Sequence, residues 1–253
     1  MPFTFSHPAA VLPFSYFPRR WRSMTGLIMG SMAPDFEKFI RMLAYDKYSH
    51  TWESIFYFNL PLSILLAFTF HLVVRNTLID SLPAFLQERL VVYKDFDWKM
   101  HFNKHYLVII GSILIGTVSH IAWDAFTHID GRFVKWLPIL KESIVIGNFE
   151  IEVYNFLQLF TSVIGGIVVV FALFLLHRHK VATQAEGKLK YWIIVISVAF
   201  VIVVIRYIVG YHLRFITNLV ISVISAGLLS LIITSYFIRK FNYLTSNIPK
   251  QSI

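Results

Sequence analysis

Residues 191–210 read YWIIVISVAFVIVVIRYIVG, twenty residues in which Arg206 carries the single charge. The hydrocarbon core of a bilayer, about 30 Å thick, is crossed by about 20 apolar residues in a helix. This stretch therefore predicts a transmembrane helix, and it sets the class of the whole fold.

Further stretches of similar length and character lie on its N-terminal and C-terminal sides, at about 54–74, 107–127, 154–176 and 216–238. Hydrophobic residues make up 57% of the chain and charged residues 15%, whereas an ordinary soluble domain carries about 25% charged residues. The sequence therefore predicts an all-α fold, a multi-pass transmembrane helical bundle with about five spans, in an integral membrane protein.

Charge is distributed unevenly along the chain. Of the 14 acidic residues, 13 lie within residues 1–152, and only Glu186 follows. The later basic residues flank apolar spans, which indicates contact with membrane lipids; no nucleic-acid partner is expected. Cysteine is absent, which excludes disulfides and thiolate metal sites.

We expect residues 1–150 to form a metal-site helical part that includes the first two spans, and 151–253 a C-terminal three-span bundle.

The second span ends in GTVSHIAWDAFTH, residues 116–128. His120, Asp124 and His128 recur at intervals of four residues, so a helix places them along one face. A His and an Asp at this spacing can hold one metal ion. An ionisable group inside an apolar span costs about 2.5–3.5 kcal/mol, so Asp124 marks a functional site. The alternative is an Asp–His pair that only locks two helices together.

Further donor residues are expected on the same side of the membrane. Asp35 and Glu37 lie beside a predicted helix start, although Asp35 could equally cap that helix. His7 and His50 each precede a helix. Because consecutive spans run antiparallel, His50 before the first span and His128 after the second share one membrane face. We expect all these side chains near that face, with His120 somewhat deeper.

Other polar residues in the spans are expected to have structural roles. Tyr154, Gln158 and Ser162 recur at intervals of four residues on the third span, which predicts hydrogen bonds between helices. His71 in the first span is expected to be a hydrogen-bonded structural residue.

Four blocks of the chain resemble a family of uncharacterised bacterial multi-pass membrane proteins, a domain of unknown function. They are MPFTFSHPAAVLP (1–13), GSMAPDFE (30–37), Ser49-His50 and SHIAWDAFTH (119–128). The resemblance extends over about residues 1–165 and implies the bacterial cytoplasmic membrane. More distantly, the pattern resembles the membrane-bound metal-dependent hydrolases and part of the zinc-dependent phospholipase C motif.

This resemblance implies a set of metal ligands. Carried over residue by residue, the ligands are His7, Asp35, His50, His120 and Asp124, with His128 as a further candidate. The chain departs from the pattern of the hydrolases at two points, and both bear on the number of metal ions. The hydrolases commonly show a second acidic residue close to Pro-Asp, and here that residue is Glu37. They also often have a longer His-rich run before the first span, and here only His50 remains.

We therefore expect a membrane-embedded metal-dependent hydrolase at the lipid–water boundary, acting on a lipid or another phosphoester. Nitrogen and oxygen ligands favour Zn²⁺, with Mn²⁺ or Fe²⁺ as alternatives. Glu37 is the expected general base, and Asp124 is expected to ligate and orient. The alternatives are an ion-coupled transporter, which predicts a polar path through the later spans, and a non-enzymatic membrane scaffold.

Overall fold

The computed structural model describes residues 3–181, 188–210 and 215–246, and it is predominantly helical. Within these described ranges, five helices are long and apolar enough to cross a membrane. The prediction of an all-α, multi-pass bundle with about five spans is confirmed.

The regular elements follow one another along the chain in the order below. The α-helices and strands are α1 (Pro8–Val11), α2 (Met24–Met32), α3 (Phe36–Arg41), α4 (Leu60–Thr69), α5 (Arg75–Ser81), α6 (Ala84–Leu90), α7 (Trp98–Thr127), α8 (Arg132–Trp136), β1 (Ser143–Ile146), β2 (Phe149–Glu152), α9 (Val153–Leu175), α10 (Lys188–Val209) and α11 (Ile216–Ser246). Short 3-10 turns occupy Thr4–Ser6, Leu12–Tyr16, Arg19–Trp21, Ala33–Asp35, Val91–Tyr93 and Pro138–Lys141.

The first span is composite, because π-helical turns at Ile55–Asn59 and Phe70–Val74 flank α4 and lead into α5. Pro61 lacks a backbone N–H and cannot complete the regular ladder of an α-helix, and one π turn ends two residues before it. The strands β1 and β2 form an antiparallel hairpin between the second and third spans, with Ile144 opposite Ile151. The sequence analysis did not foresee this hairpin.

The chain divides into two compact units. The first consists of Met1–Glu37, Asp46–Leu65 and Met100–Leu175. Within it, α2 packs directly on α7 through glycines. A Cβ atom on Gly30 would collide with the Ile113 carbonyl group, and one on Gly116 would collide with backbone atoms of Leu27 and Ser31. Such close backbone contact is characteristic of small residues at membrane helix interfaces.

The second unit consists of Lys38–Tyr45, Leu66–Lys99 and Leu176–Ile253. In it α10 packs along α11, where the hydroxyls of Tyr191 and Ser235 lie 3.2 Å apart. Buried Arg75 donates hydrogen bonds to the carbonyls of Lys94 and Phe96. The third span belongs to the first unit, and the expected functional division near residue 150 stays a prediction.

Candidate metal centre

His120 and Asp124 lie one turn apart on α7, as their spacing predicts. Both are buried, and His120 Nε2 lies 3.4 Å from Asp124 Oδ2. The other ring nitrogen of His120, Nδ1, lies 2.7 Å from the carbonyl oxygen of Ser31 at the end of α2. That carbonyl can only accept, so Nδ1 carries the proton and Nε2 presents its lone pair towards Asp124. A hydrogen bond of this type commonly orients a metal-binding histidine.

His7 follows the first 3-10 turn and stacks on His120, with ring centroids 3.7 Å apart and planes 20° apart. Its Nε2 atom lies 3.8 Å from Asp124 Oδ1. Burial and, to a smaller extent, the neighbouring His120 lower the pKa of His7 from 6.5 to about 3. The imidazole of His7 is therefore neutral at physiological pH, which is the form that binds a metal ion.

Asp35 ends the 3-10 turn between α2 and α3 and is completely buried. The hydroxyl of Thr4 donates a 2.7 Å hydrogen bond to its Oδ2 atom. Its Oδ1 atom lies 3.7 Å from His50 Nε2. Thr4 thus connects the carboxylate to the short segment that carries His7.

His50 approaches from the loop before the first span. Its Nε2 atom lies 3.3 Å from Asp124 Oδ2, while its Nδ1 atom contacts the carboxylate of Asp46 and lies 3.0 Å from Ser49 Oγ. A carboxylate on the far nitrogen of a histidine is a common support for a metal ligand. The side chain of His50 is 22% exposed, so the cluster opens to its surroundings at this residue.

The structure brings together five of the side chains that the sequence analysis named, which we call the His–Asp cluster: His7, Asp35, His50, His120 and Asp124. Two overlapping sets, His7–Asp35–His120 and His50–His120–Asp124, each offer three donor atoms within 4.8 Å of one another.

The geometry and charge of this cluster fit one divalent cation. A tetrahedral site with ligand bonds of 2.0–2.2 Å separates its donor atoms by about 3.3–3.6 Å. The nitrogen–oxygen distances measured in the cluster run from 3.3 to 3.8 Å. Two carboxylates, those of Asp35 and Asp124, carry a charge that one divalent cation balances.

The hydrogen bonding of the cluster also fits a cation site. The Nε2 atoms of His7 and His120 and both carboxylate oxygens of Asp124 are buried, and none makes a hydrogen bond with the residues that the structure describes. Burying polar atoms in this state costs about 1–3 kcal/mol for each group. A bound cation would satisfy all four atoms at once.

His128 lies just beyond the end of α7, beside the cluster rather than in either ligand set. Its Nε2 atom lies 3.1 Å from the side-chain amide nitrogen of Gln158 on α9. Because an amide nitrogen donates, Nε2 accepts and Nδ1 carries the proton. Nδ1 lies 3.3 Å from the backbone carbonyl oxygen of Asp124 and 3.5 Å from its Oδ1 atom. The geometry favours support of Asp124, and the role of His128 as a ligand stays a prediction.

Glu37 is buried and binds the loop that precedes His50. Its carboxylate accepts hydrogen bonds from the backbone N–H groups of Lys47, Tyr48 and Ser49, at 3.1, 2.9 and 2.8 Å. These contacts hold the loop that ends at His50. The contacts of Glu37 thus show a role in positioning this loop. The general-base role expected for Glu37 stays a prediction.

Several supporting residues were not identified from the sequence, namely Ser31, Asp46 and Asn59. The side-chain amide of Asn59 donates to the Ser49 carbonyl at 2.8 Å and fixes the His50 loop from the first span. A polar side chain such as that of Asn59 is costly to place inside an apolar span, and this cost is a signal that could have revealed its role. The Gly26-x3-Gly30 spacing could likewise have revealed the close approach of α2.

The chain belongs to a family described as "Domain of unknown function (DUF4184)", whose sequence profile matches residues 1–236. The expected resemblance to an uncharacterised family is confirmed. Comparison with curated proteins gives no match, and comparison with solved structures gives none either.

Proposed function

We propose that this protein is a membrane-embedded, metal-dependent hydrolase that acts at the lipid–water boundary on a lipid or another phosphoester. The observation that carries the proposal is the convergence of histidines and aspartates from four separate segments, with donor atoms at metal-ligand spacing. Four buried donor atoms, on His7, His120 and Asp124, make no hydrogen bond with the described residues. The more distant resemblance to membrane-bound metal-dependent hydrolases supports the reaction class.

The donors favour Zn²⁺ as the resident ion. Imidazole nitrogen and carboxylate oxygen bind Zn²⁺ well, and both also bind Mn²⁺ and Fe²⁺, which are the alternatives. The Ser31 and Asp46 contacts hold His120 and His50 with Nε2 directed into the cluster. These supports hold the ligands in position before any ion arrives.

The depth of the cluster supports a substrate located at the membrane surface. Asp124 lies three residues before the end of α7 at Thr127, and His120 seven residues before it. With a rise of 1.5 Å per residue, the cluster lies within about 10 Å of the helix end. Lipid headgroups and their ester bonds lie near this depth.

A divalent ion bound here would polarise the scissile group and lower the pKa of a water molecule towards 7. The chain itself supplies orientation: Asp124 faces three imidazoles, and Glu37 fixes the loop that carries His50. The substrate would enter on the side of His50, the partly exposed member of the cluster.

The test begins with purified full-length protein in a lipid nanodisc. We expect about one bound zinc ion per chain by elemental analysis. Asp124→Asn and His120→Ala should abolish it, while the matched controls Asp130→Asn and His105→Ala should keep it, because both control residues are exposed. Folded wild-type protein that contains no metal and takes up no added Zn²⁺ would overturn the proposal.

The reaction is tested separately with the zinc-loaded protein. Vesicles of phosphatidylglycerol, phosphatidylethanolamine and phosphatidic acid are incubated with it, and mass spectrometry records released headgroups and fatty acids. We expect turnover of at least one lipid, lost on chelation and in Asp124→Asn, and restored by Zn²⁺ in the wild type. Zinc-loaded protein that leaves every lipid intact would remove the hydrolase assignment and favour the scaffold or transporter alternatives.

A further inference from the structure

The chain between His7 and Asp35 folds back on itself within the first unit, and we call residues 8–34 the N-terminal hairpin. Its first arm contains α1, which packs on α9, and its second arm is α2, which packs on α7. Because His7 precedes the hairpin and Asp35 follows it, both ends of the hairpin lie at the His–Asp cluster. The depth of its turn can therefore be measured from the cluster.

The second arm begins far from the cluster. The backbone N–H of Ser23, the residue that caps α2, donates a 2.8 Å hydrogen bond to Ser112 Oγ on α7. At the other end of the arm, Ser31 contacts His120, so α2 and α7 run in the same direction. Ser112 precedes Thr127, where α7 ends, by 15 residues, or about 22 Å at 1.5 Å per residue. That distance is about three quarters of the thickness of a hydrocarbon core.

The third span gives a similar depth independently. The indole nitrogen of Trp123 on α7 donates to Thr161 Oγ1 on α9 at 3.3 Å, so these two residues lie at one level. From that level, Ser112 lies 11 residues back along α7, about 16 Å, and Leu175, the last residue of α9, lies 14 residues onward, about 21 Å. Consecutive spans are antiparallel, so both distances lead away from the cluster. In depth, the start of α2 therefore lies within about 5 Å of the end of the third span.

The turn between the two arms, residues 15–22, has features that belong outside hydrocarbon. Its backbone forms only short 3-10 turns and extended residues around Pro18, and lipid-exposed backbone of this kind does not occur within the hydrocarbon core. Tyr16 is 90% exposed and Trp21 64%, and the guanidinium of Arg20 lies 5.2 Å from the centre of the Trp21 ring. Exposed Tyr and Trp are typical of the membrane–water interface. Depth and composition together place the turn at the membrane face opposite the cluster.

The charge of this turn is uniformly positive. Arg19 and Arg20 are exposed, while Arg22 donates to two backbone carbonyls and closes the turn. The sequence contains no carboxylate side chain before Asp35. Of the two helices that hold the hairpin, α7 carries none before Asp124 and α9 carries none at all. An anion at this end of the first unit therefore meets cations without competing carboxylates from these elements.

We propose that the turn of the N-terminal hairpin binds the phosphate groups of anionic phospholipids at the membrane face opposite the His–Asp cluster. Arginine binds phosphate oxygens through paired N–H groups, and Arg19 and Arg20 are the exposed donors. Such binding anchors an element whose two ends carry His7 and Asp35. The N-terminal hairpin is thus a re-entrant membrane element beside the five spans. The proposal depends neither on the reaction nor on a bound metal ion.

The first experiment locates the turn, and it is direct because the chain has no native cysteine. Full-length Ser15→Cys, in the turn, and Glu150→Cys, in β2, are treated with a membrane-impermeant maleimide in spheroplasts and in inverted membrane vesicles. We expect the two cysteines to react in opposite preparations, because β2 lies on the membrane side where α7 ends. Reaction of both in the same preparation, or no reaction of Ser15→Cys in either, would overturn the proposal.

The second experiment measures the preference for anionic headgroups. Ser15→Cys is labelled with bimane and placed in phosphatidylcholine nanodiscs in which about a tenth of the lipid carries a nitroxide near the headgroup, as phosphatidylglycerol or as phosphatidylcholine. We expect phosphatidylglycerol to quench about fivefold more strongly. Adding Arg19→Gln and Arg20→Gln should make the two lipids equal. Adding Lys135→Gln and Lys141→Gln instead, a matched pair of exposed cations on the cluster side, should leave the difference intact.

The decisive comparison needs no arginine variant. If both lipids quench equally in the Ser15→Cys protein that keeps all its arginines, the turn has no preference for anionic headgroups and the proposal is wrong. A preference that survives replacement of both Arg19 and Arg20 would equally contradict it, because the binding would then come from elsewhere.

Discussion

Two clusters of buried ionisable groups lie in the first and second units, and they differ in how their polar atoms are satisfied. In the second unit, the Arg75 guanidinium donates to the carbonyls of Lys94 and Phe96 and to Asn76 Oδ1, and it contacts His71 Nδ1 at 3.0 Å. His71 in turn stacks on Trp98 with ring centroids 4.5 Å apart.

In the His–Asp cluster of the first unit, the polar atoms are not all satisfied in this way by the described residues. Its polar atoms face one another at 3.3–3.8 Å, and several make no hydrogen bond with the described residues. Burial of charge alone therefore does not identify a functional site. A buried group with its partners in place stabilises a fold, whereas a convergent set without them is arranged for something else.

The largest effect is expected from Gly30→Ala, which tests whether the His–Asp cluster depends on close contact between α2 and α7. The added methyl group collides with the Ile113 backbone, which cannot move aside within a packed helix. We expect a loss of about 3 kcal/mol of stability, together with loss of zinc binding, because Ser31 moves away from His120. Thermal unfolding at a fixed heating rate and elemental analysis measure both.

Gly111→Ala is the matched control, because a Cβ there meets no atom within 4 Å. It should leave stability unchanged or raise it slightly, since alanine favours a helix by up to about 1 kcal/mol over glycine. If both variants behaved alike, the close contact would have no bearing on the cluster.

The second prediction compares one histidine from each unit. His7→Ala removes a candidate ligand and should weaken zinc binding more than about 100-fold, beyond the 10–100-fold typical of supporting residues. His71→Ala should leave zinc affinity unchanged but lower stability by about 1–3 kcal/mol, because Arg75 loses an acceptor. Competition with a chelator of known affinity measures the first effect, and thermal unfolding the second. A drop in zinc affinity caused equally by both variants would erase the distinction between the clusters.

The sequence carried most of what defines these regions. Spacing alone placed His120 and Asp124 on one helix face, and span counting confined His7 and His50 to the same membrane side. The contacts of Ser31 and Asp46 could not be foreseen, because a backbone carbonyl carries no sequence signal and a loop aspartate resembles any solvated one. The hairpin β1–β2 and the π turns depend on local packing that hydropathy does not report.

The third prediction tests the outer support of the His–Asp cluster. Asp46→Asn keeps the size of the side chain but removes the charge that faces His50 Nδ1. We expect zinc affinity to fall 10–100-fold, since the carboxylate both orients the imidazole and raises its basicity. Asp80→Asn in the second unit removes a carboxylate that pairs with Lys94 and should leave zinc affinity as in the wild type. An unchanged affinity in Asp46→Asn would show that His50 needs no such support.

The smallest effect is expected at His128, which either supports Asp124 or binds the ion itself. If His128 supports Asp124 through the proton that Gln158 fixes on Nδ1, then Gln158→Leu and His128→Ala should each weaken zinc binding by about tenfold. The double variant should then be no worse than either single variant, because both remove one interaction. If His128 ligates the ion, His128→Ala should instead match the loss seen in His7→Ala, and Gln158→Leu should add to it only weakly. A titration of the four proteins with zinc therefore decides between a supporting and a ligating imidazole.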